Sequence, residues 1–394
     1  MSASDRPTAL PRYGITVPFD GIPLHAHKEW FARLRELGYT DVWSAEVDGS
    51  DGFTPLALAA AWEPELKLGV AITPAYTRGP ALLAQSVASI ADAAPGQFAF
   101  GLGASSEVIV ANWNGLAFEN QYRRVRDTLR FLRLALTGEK ITERYEGFSV
   151  TGFRLARVPE QQPELYLAAL RPGMLHLAGK EADGAILNWL SADDVVKVVA
   201  EVNGAAGAAK AIVARIFVIP TEDADLARMV GRRMITAYLN VHAYAEFHRW
   251  LGRGPALQPM WDAWAAGDRK GALAAIPDEV VDDLVVHGST AQCRAHIQRY
   301  VDNGVTVPAP AVIPIGIDLA DAVAGLAPTA PQAEDHGLPH HLHRRAGQVG
   351  PVPPDQRPGA DRAGPGPDRE AQPRLQRLRG LRWRSGTPGR RRHR

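Results

Sequence analysis

The sequence predicts an α/β protein folded as a (β/α)₈ TIM barrel, and three observations predict it. Apolar runs of strand length alternate eight times with amphipathic runs of helical length between residues 13 and 328, the pattern of a parallel sheet with helical crossovers. Prolines stand where helices should begin, at Pro80 and Pro172, and a first-turn proline loses no hydrogen bond. The alternative, a doubly wound open sheet, has one glycine signal in its favour, Gly101–Gly103. That pattern lacks a third glycine and does not follow the first strand, both of which a dinucleotide crevice needs.

Each element follows in order. A strand at Tyr13–Phe19 leads to a helix over His25–Leu37, which Gly38 ends. Asp41–Ala45 is the second strand, with a helix near Pro55–Ala61 after it. Lys67–Thr73 is the third, followed by a helix over Pro80–Ala93. Gln97–Leu102 is the fourth, and Glu119–Leu136 forms a long amphipathic helix. Leu165–Leu170 and Gly184–Asn188 come next, each with its helix. Ile212–Ile219 is the seventh strand, and Val305–Ile313 the eighth, after a helix from Ala291 to Asn303. Two insertions are expected: a hairpin in Gly138–Pro163, and a segment over Tyr244–Ile276.

Residues 1–12 read as an N-terminal extension, 13–328 as the barrel and 329–394 as a tail. The tail holds 14 arginines, no lysine and abundant Pro and Gly without apolar periodicity, a composition that cannot bury enough surface to order itself. An arginine grip on nucleic acid would call for interleaved aromatics, and Trp383 is the one present. The bias is that of a GC-rich reading frame read out of register, so the tail is expected to be a non-functional extension or a frameshifted end.

Over the whole chain 44 basic residues balance 43 acidic ones, and neither a nucleic-acid nor a membrane partner is expected. No apolar stretch approaches the roughly 20 residues that cross a bilayer, and the first residues lack a signal-peptide block. The single cysteine, Cys293, fits a reducing compartment and reads as a core thiol in a capped helix. A cytoplasmic homodimer acting on a small molecule is expected. No His, Cys and carboxylate cluster has zinc spacing, so no metal is expected. His242 and His248 read as surface or interhelical residues.

Strand C-termini share one mouth in such a barrel, where chemistry gathers. Glu46 and Glu107 stand there, with Asp20 a lesser candidate, and Phe19, Trp43, Trp113 and Trp189 are expected to line the mouth. So few ionisable groups point to an apolar or neutral substrate. In the turn Ala168-Ala169-Leu170-Arg171-Pro172-Gly173-Met174 a strand feeds a helix whose first turn is stripped of bulk. Free backbone N–H groups and a positive dipole end there make an anion site, with Arg171 adding charge. An ordinary βα unit has the same outline.

With those residues in view, the chain resembles the bacterial luciferase-like superfamily, in particular actinobacterial oxidoreductases of the branch that uses the deazaflavin coenzyme F420. The matching stretches include YGITVPF, LKLGVAITPAYTRGPALLAQSVASI, FAFGLGASSEVIVANWNG and YLAALRPGMLHLAGKEADGAILNWLS, together spanning about residues 13–325. The resemblance implies a deazaflavin with its ring deep in the mouth and its phosphate-bearing tail at the turn Ala168–Met174. It places a bulge with a non-prolyl cis peptide in the third strand, with Val70, Ala71 and Ile72 as candidates. Thr73, Gly101 and Gly103 complete the implied cofactor-binding set. The family turn usually carries two glycines where this chain has Leu170 and Arg171. Such a cofactor passes hydride and reacts poorly with oxygen, and the protein places it, excludes water and handles a proton.

Related dehydrogenases end the second strand in Ser-Asp-His; here it ends Ser44-Ala45-Glu46, which tells against sugar-phosphate chemistry. Glu46 is the first candidate for general acid or base, provided burial raises its pKa, or for a hydrogen bond to the ring. Glu107 is the second. A purely structural carboxylate is the alternative for both. An FMN-dependent monooxygenase of the same fold, or a non-catalytic cofactor-binding protein, remains open beside the F420 oxidoreductase.

Overall fold

A computed structural model describes residues 12–328; the predicted tail, and all but the last residue of the N-terminal extension, lie outside the described residues. Eleven strands run in order: β1 (Gly14–Thr16), β2 (Asp41–Ser44), β3 (Lys67–Pro74), β4 (Phe98–Gly103), β5 (Ile141–Arg144), β6 (Ser149–Phe153), β7 (Glu164–Ala168), β8 (Gly184–Asn188), β9 (Ala211–Ile219), β10 (Val286–His287) and β11 (Val307–Val312). β1, β2, β3, β4, β7, β8, β9 and β11 are joined side by side by parallel ladders. They form the predicted barrel, with helices on its outside. At the seam between β11 and β1 the Thr16 hydroxyl donates to the Ala309 carbonyl at 3.3 Å. Pro308 and Pro310 bring no N–H to β11, and a proline is best placed where a ladder is incomplete.

The interior is packed, not hollow. Trp43, Ala99, Tyr166, Ile186, Val213, Val307 and Ala309 meet there from six strands, and the Trp43 and Tyr166 rings stack at 6.2 Å. Gly69 makes room for the indole: a Cβ there would stand 2.2 Å from Trp43 Cε3. Below this layer, at the N-terminal ends of the strands, polar groups are paired. Arg12 grips fully buried Asp41, its Nε donating at 3.0 Å. Tyr166 donates its hydroxyl to Glu164 at 2.7 Å. Burial works against the Arg12 charge, yet the bond and charge of Asp41 outweigh it and raise its pKa. Arg12, assigned to the extension, thus belongs to the barrel.

The first insertion is the expected hairpin, β5 paired antiparallel with β6. The second is helical, with helices over His242–Trp250, Gly254–Ala265 and Arg269–Ala274. These pack with the flanking helices Ala224–Leu239 and Asp278–Leu284 over Trp189, Phe217, Ile219 and Ala311. The ends of β8, β9 and β11 are therefore roofed, while the ends of β2, β3 and β4 are not covered by this cluster. The Cys293 helix, Thr290–Asp302, starts in a capping box formed by Ser289 and Gln292. The thiol is buried, which pushes its pKa up to about 12 against the opposing charge of Arg294. Among the described residues no helix is long and apolar enough to cross a membrane.

Candidate functional site at the barrel mouth

The third strand shapes the centre of the mouth. Its register against β4 slips between Val70 and Thr73, and the Ala71–Ile72 bond within that bulge is a non-prolyl cis peptide. Thr73 is buried, and its hydroxyl has no hydrogen-bond partner. Gly101 and Gly103 seat the bulge. A Cβ at Gly101 would lie 2.1 Å from the Val70 carbonyl oxygen, and one at Gly103 would lie 3.0 Å from both Ile72 Cδ1 and Ala168 Cβ. Their bare Cα faces are therefore filled by protein, and both glycines serve as packing seats for the bulge. Ala168, where the predicted anion turn begins, adjoins Ile72 across Gly103.

Glu46 sits beside the bulge, its N–H donating to the Ile72 carbonyl at 3.3 Å. Arg78 reaches both of its carboxylate oxygens, Oε2 at 2.6 Å, and lies over the Phe53 ring at 4.8 Å. Both partners are under one-fifth exposed. Glu46 therefore faces a guanidinium. Asp51 stands 4.0 Å from Arg78 and caps the next helix, accepting from the Phe53 and Thr54 N–H groups. Burial disfavours its charge, but these hydrogen bonds and Arg78 outweigh that and lower its pKa. Glu107 is exposed, just before the π-helical turn Val108–Trp113.

The turn after β7 has the predicted form. Pro172 begins the helix Pro172–Glu181, with Arg171 extended at its N-cap. The Arg171 carbonyl accepts from the N–H groups of Met174 and Leu175, both at 3.0 Å. Of the first N–H groups only that of Gly173 stays open, so the cradle is narrower than the sequence suggests. A Cβ on Gly173 would meet nothing within 4 Å. The Arg171 side chain is exposed and makes no ion pair among the described residues.

The aromatic lining differs from expectation. Trp43 and Trp189 are 1% exposed and Phe19 is 5% exposed, whereas Trp113 is 47% exposed. Trp43 plugs the barrel, Trp189 packs under the insertion, and Phe19 stacks on His27 and meets Trp30 edge-on. Of the four, only Trp113 is exposed.

Two arginines were not singled out as site residues in the sequence. Arg78 stands in TRGP, two residues before the helix-starting Pro80, a matching stretch of the family resemblance. Arg215 lies mid-strand in β9, on the face shared by Val213 of the barrel layer and Phe217 of the roof layer. A lone arginine in AIVARIFVI was the available signal. Its register partner on β8 is Asn188, whose Nδ2 donates to the Tyr244 hydroxyl at 3.1 Å. Arg215 Nε, Asn188 Oδ1 and Trp189 Nε1 are buried without hydrogen-bond partners. Charge at the mouth is therefore greater than the sequence indicated.

The family model for luciferase-like monooxygenase matches residues 4–307. The chain is 28% identical over 302 residues to a 5,10-methylenetetrahydromethanopterin reductase of Methanolobus tindarius, covering 74% of this chain and 90% of that protein. It is 24% identical over 316 residues to a putative coenzyme F420-dependent oxidoreductase of Mycobacterium tuberculosis, covering 72% and 90%. In fold it is similar to the coenzyme F420-dependent tetrahydromethanopterin reductase of Methanopyrus kandleri, with a TM-score of 0.65 and 19% identity over 81% of this chain and 98% of the other.

Proposed function

Because the chain belongs to the luciferase-like monooxygenase family, we propose that it is an F420-dependent oxidoreductase that exchanges a hydride with a small organic substrate. Its relatives by sequence include an oxidoreductase named for that cofactor. The observation that carries the reading is the turn at Arg171-Pro172-Gly173, where an unpaired guanidinium and an open N–H adjoin the bulged third strand. A phosphate-bearing tail fits the one, and a flat ring fits beside the other.

The bound deazaflavin supplies the hydride chemistry. Arg171 and the Gly173 N–H hold its phosphate, a helix start favouring negative charge. The Thr73 hydroxyl and the Ala71–Ile72 segment support the ring face. Glu46, fixed by Arg78, orients the ring or moves the substrate proton.

Titration of the purified protein with F420 and with FMN tests this reading. F420 is expected to bind, and Arg171→Ala to weaken it by roughly 1–3 kcal/mol, the worth of a charge-assisted bond. Unchanged affinity in that variant removes Arg171 from the site. The family's name is that of oxygenases, so the second reading is an FMN-dependent monooxygenase, which binding of FMN alone would establish.

A further inference from the structure

We propose that Arg215, Asn188 and Tyr244 form a receptor for the carboxylate of the substrate, so that the substrate class is a small organic acid with an apolar body. The inference rests on the mouth being the redox site, and it names what that site takes in. Its basis is an arginine inside the barrel that has no acid. Arg215 lies between the Trp43 layer and the roof, partly buried with its Nε out of solvent, and among the described residues its side chain makes no ion pair and donates no hydrogen bond. Its guanidinium carbon stands 4.9 Å from the Phe217 ring centroid. Burying an unpaired charge is costly, and the cost falls when a ligand brings the opposite charge. Glu46 cannot serve, being held by Arg78.

The neighbouring groups suit an oxyanion. Tyr244 accepts the Asn188 amide at its oxygen, which leaves the phenolic proton to donate elsewhere. Its pKa is pushed up to about 12, chiefly by burial and by Tyr238, with Asn188 and Arg215 opposing. The phenol therefore stays protonated and able to donate at neutral pH. The buried Trp189 Nε1 is a further unused donor. Arg215 presents a planar fork that matches a carboxylate in two bonds. One positive charge among neutral donors balances a monoanion, whereas a phosphate dianion would stay half-compensated. Trp189, Phe217, Tyr238 and Tyr244 pack ring on ring around the group, with neighbouring centroids 4.4–6.2 Å apart. These surroundings favour an apolar acid body.

A carboxylate of the substrate and an anionic group of the cofactor share this chemistry, and the test separates the two sources. Acetate, benzoate and succinate are titrated into the cofactor-free protein, with acetamide and benzamide as neutral counterparts, and thermal melting and calorimetry are followed. The acids, and not the amides, are expected to bind the wild type. Arg215→Gln should bind them about ten- to hundred-fold more weakly, the loss of a two-bond charged contact, with F420 affinity unchanged. Asn188→Asp keeps the arginine but gives it an internal acid. It should fold at least as stably as the wild type and lose the response to acids, which covers the case of an unstable Arg215→Gln.

Acids that protect the wild type and both variants alike overturn the proposal. So does a loss of F420 affinity in Arg215→Gln with no response to acids in the wild type, which would assign the arginine to the cofactor. A protein that binds benzoate through Arg215 yet ignores F420 would overturn the cofactor reading and leave this one standing.

Discussion

The two ends of the barrel handle polar groups in opposite ways. At the lower end Asp41 is fully buried, yet Arg12 holds its carboxylate, and the Thr40 hydroxyl donates to its other oxygen at 2.6 Å. Tyr166 and Glu164 close the same network. At the mouth Thr73, Asn188, Trp189 and Arg215 each keep a buried polar atom without a partner. Buried polar atoms are almost always satisfied in a finished core. The lower end comes nearer to such a core, although Trp43 Nε1 and Gln97 Oε1 lack partners there, and the mouth approaches one only when a ligand supplies the missing partners. The same parallel strands thus serve stability at one end and chemistry at the other, the division expected of this fold.

The sharpest way to break that comparison is at Glu46, the mouth acid that Arg78 holds by both oxygens. If the Glu46–Arg78 pair serves chemistry, Glu46→Gln should keep the fold and the cofactor affinity but lower turnover by about 10²–10⁴-fold, the usual share of a general acid or base. One limb of the pH–rate profile should vanish with it. Parent turnover in the variant would make the pair a structural brace, like Arg12 and Asp41, and erase the difference between the two ends.

The reciprocal test is at the bottom. Asp41→Asn removes the buried acid of Arg12 and leaves it only the half-exposed Glu164, 3.9 Å away. Breaking a buried pair from one side usually costs about 3–5 kcal/mol; Arg12 is one-fifth exposed, so about 2–4 kcal/mol is expected here. Denaturant unfolding measures it, and cofactor affinity should hardly change in the folded fraction. Loss of affinity without loss of stability would mean that the lower network also shapes the mouth.

How far each end was legible in the sequence follows from what it depends on. The strands were readable because alternation and apolar runs are local. Most observed bounds lie within two residues of expectation. β1 is the exception, ending at Thr16 just before the Val17–Pro18 cis bond. β10, two residues long, has no run to detect. The turn at Arg171 was readable from residue types at fixed spacing, and the bulge near Ala71 only through the family resemblance. Arg78 and Arg215 were not, because their meaning lies in distant partners. Arg78 matters through Glu46, 32 residues away, and Arg215 through Asn188, Tyr244 and the lack of any acid. The aromatics misled for the same reason, since Trp43 and Trp189 stand near strand ends but point into packed layers.

The smallest expected effect concerns acid, and it too should separate the ends. Two buried histidines hold mouth-side segments. His27 accepts the Phe19 N–H at Nε2, 2.9 Å away, and lies 3.1 Å from the Pro23 carbonyl through Nδ1, so its partners call for the neutral Nδ1–H tautomer. Burial lowers its pKa, more than the Pro23 bond restores. His248 is fully buried in the insertion, where burial and then Arg253 push its pKa down to about 3, against the nearby Trp189 backbone. In both cases the unfolded chain takes up a proton near pH 6.5 that the folded chain refuses. Stability is therefore complete above about pH 6.5 and falls as the pH drops below it. A wholly depressed histidine contributes a loss of about 1 kcal/mol by pH 5.5, at 1.36 kcal/mol per unit. Hydrogen exchange at pH 7.5 and 5.5 should show the loosening around residues 17–27 and 242–253 before β2 and β7. His248→Leu should flatten part of the melting profile over that range. An unaltered profile in that variant, or loosening that begins at the Arg12–Asp41 end, would place the acid-sensitive groups in the lower barrel instead.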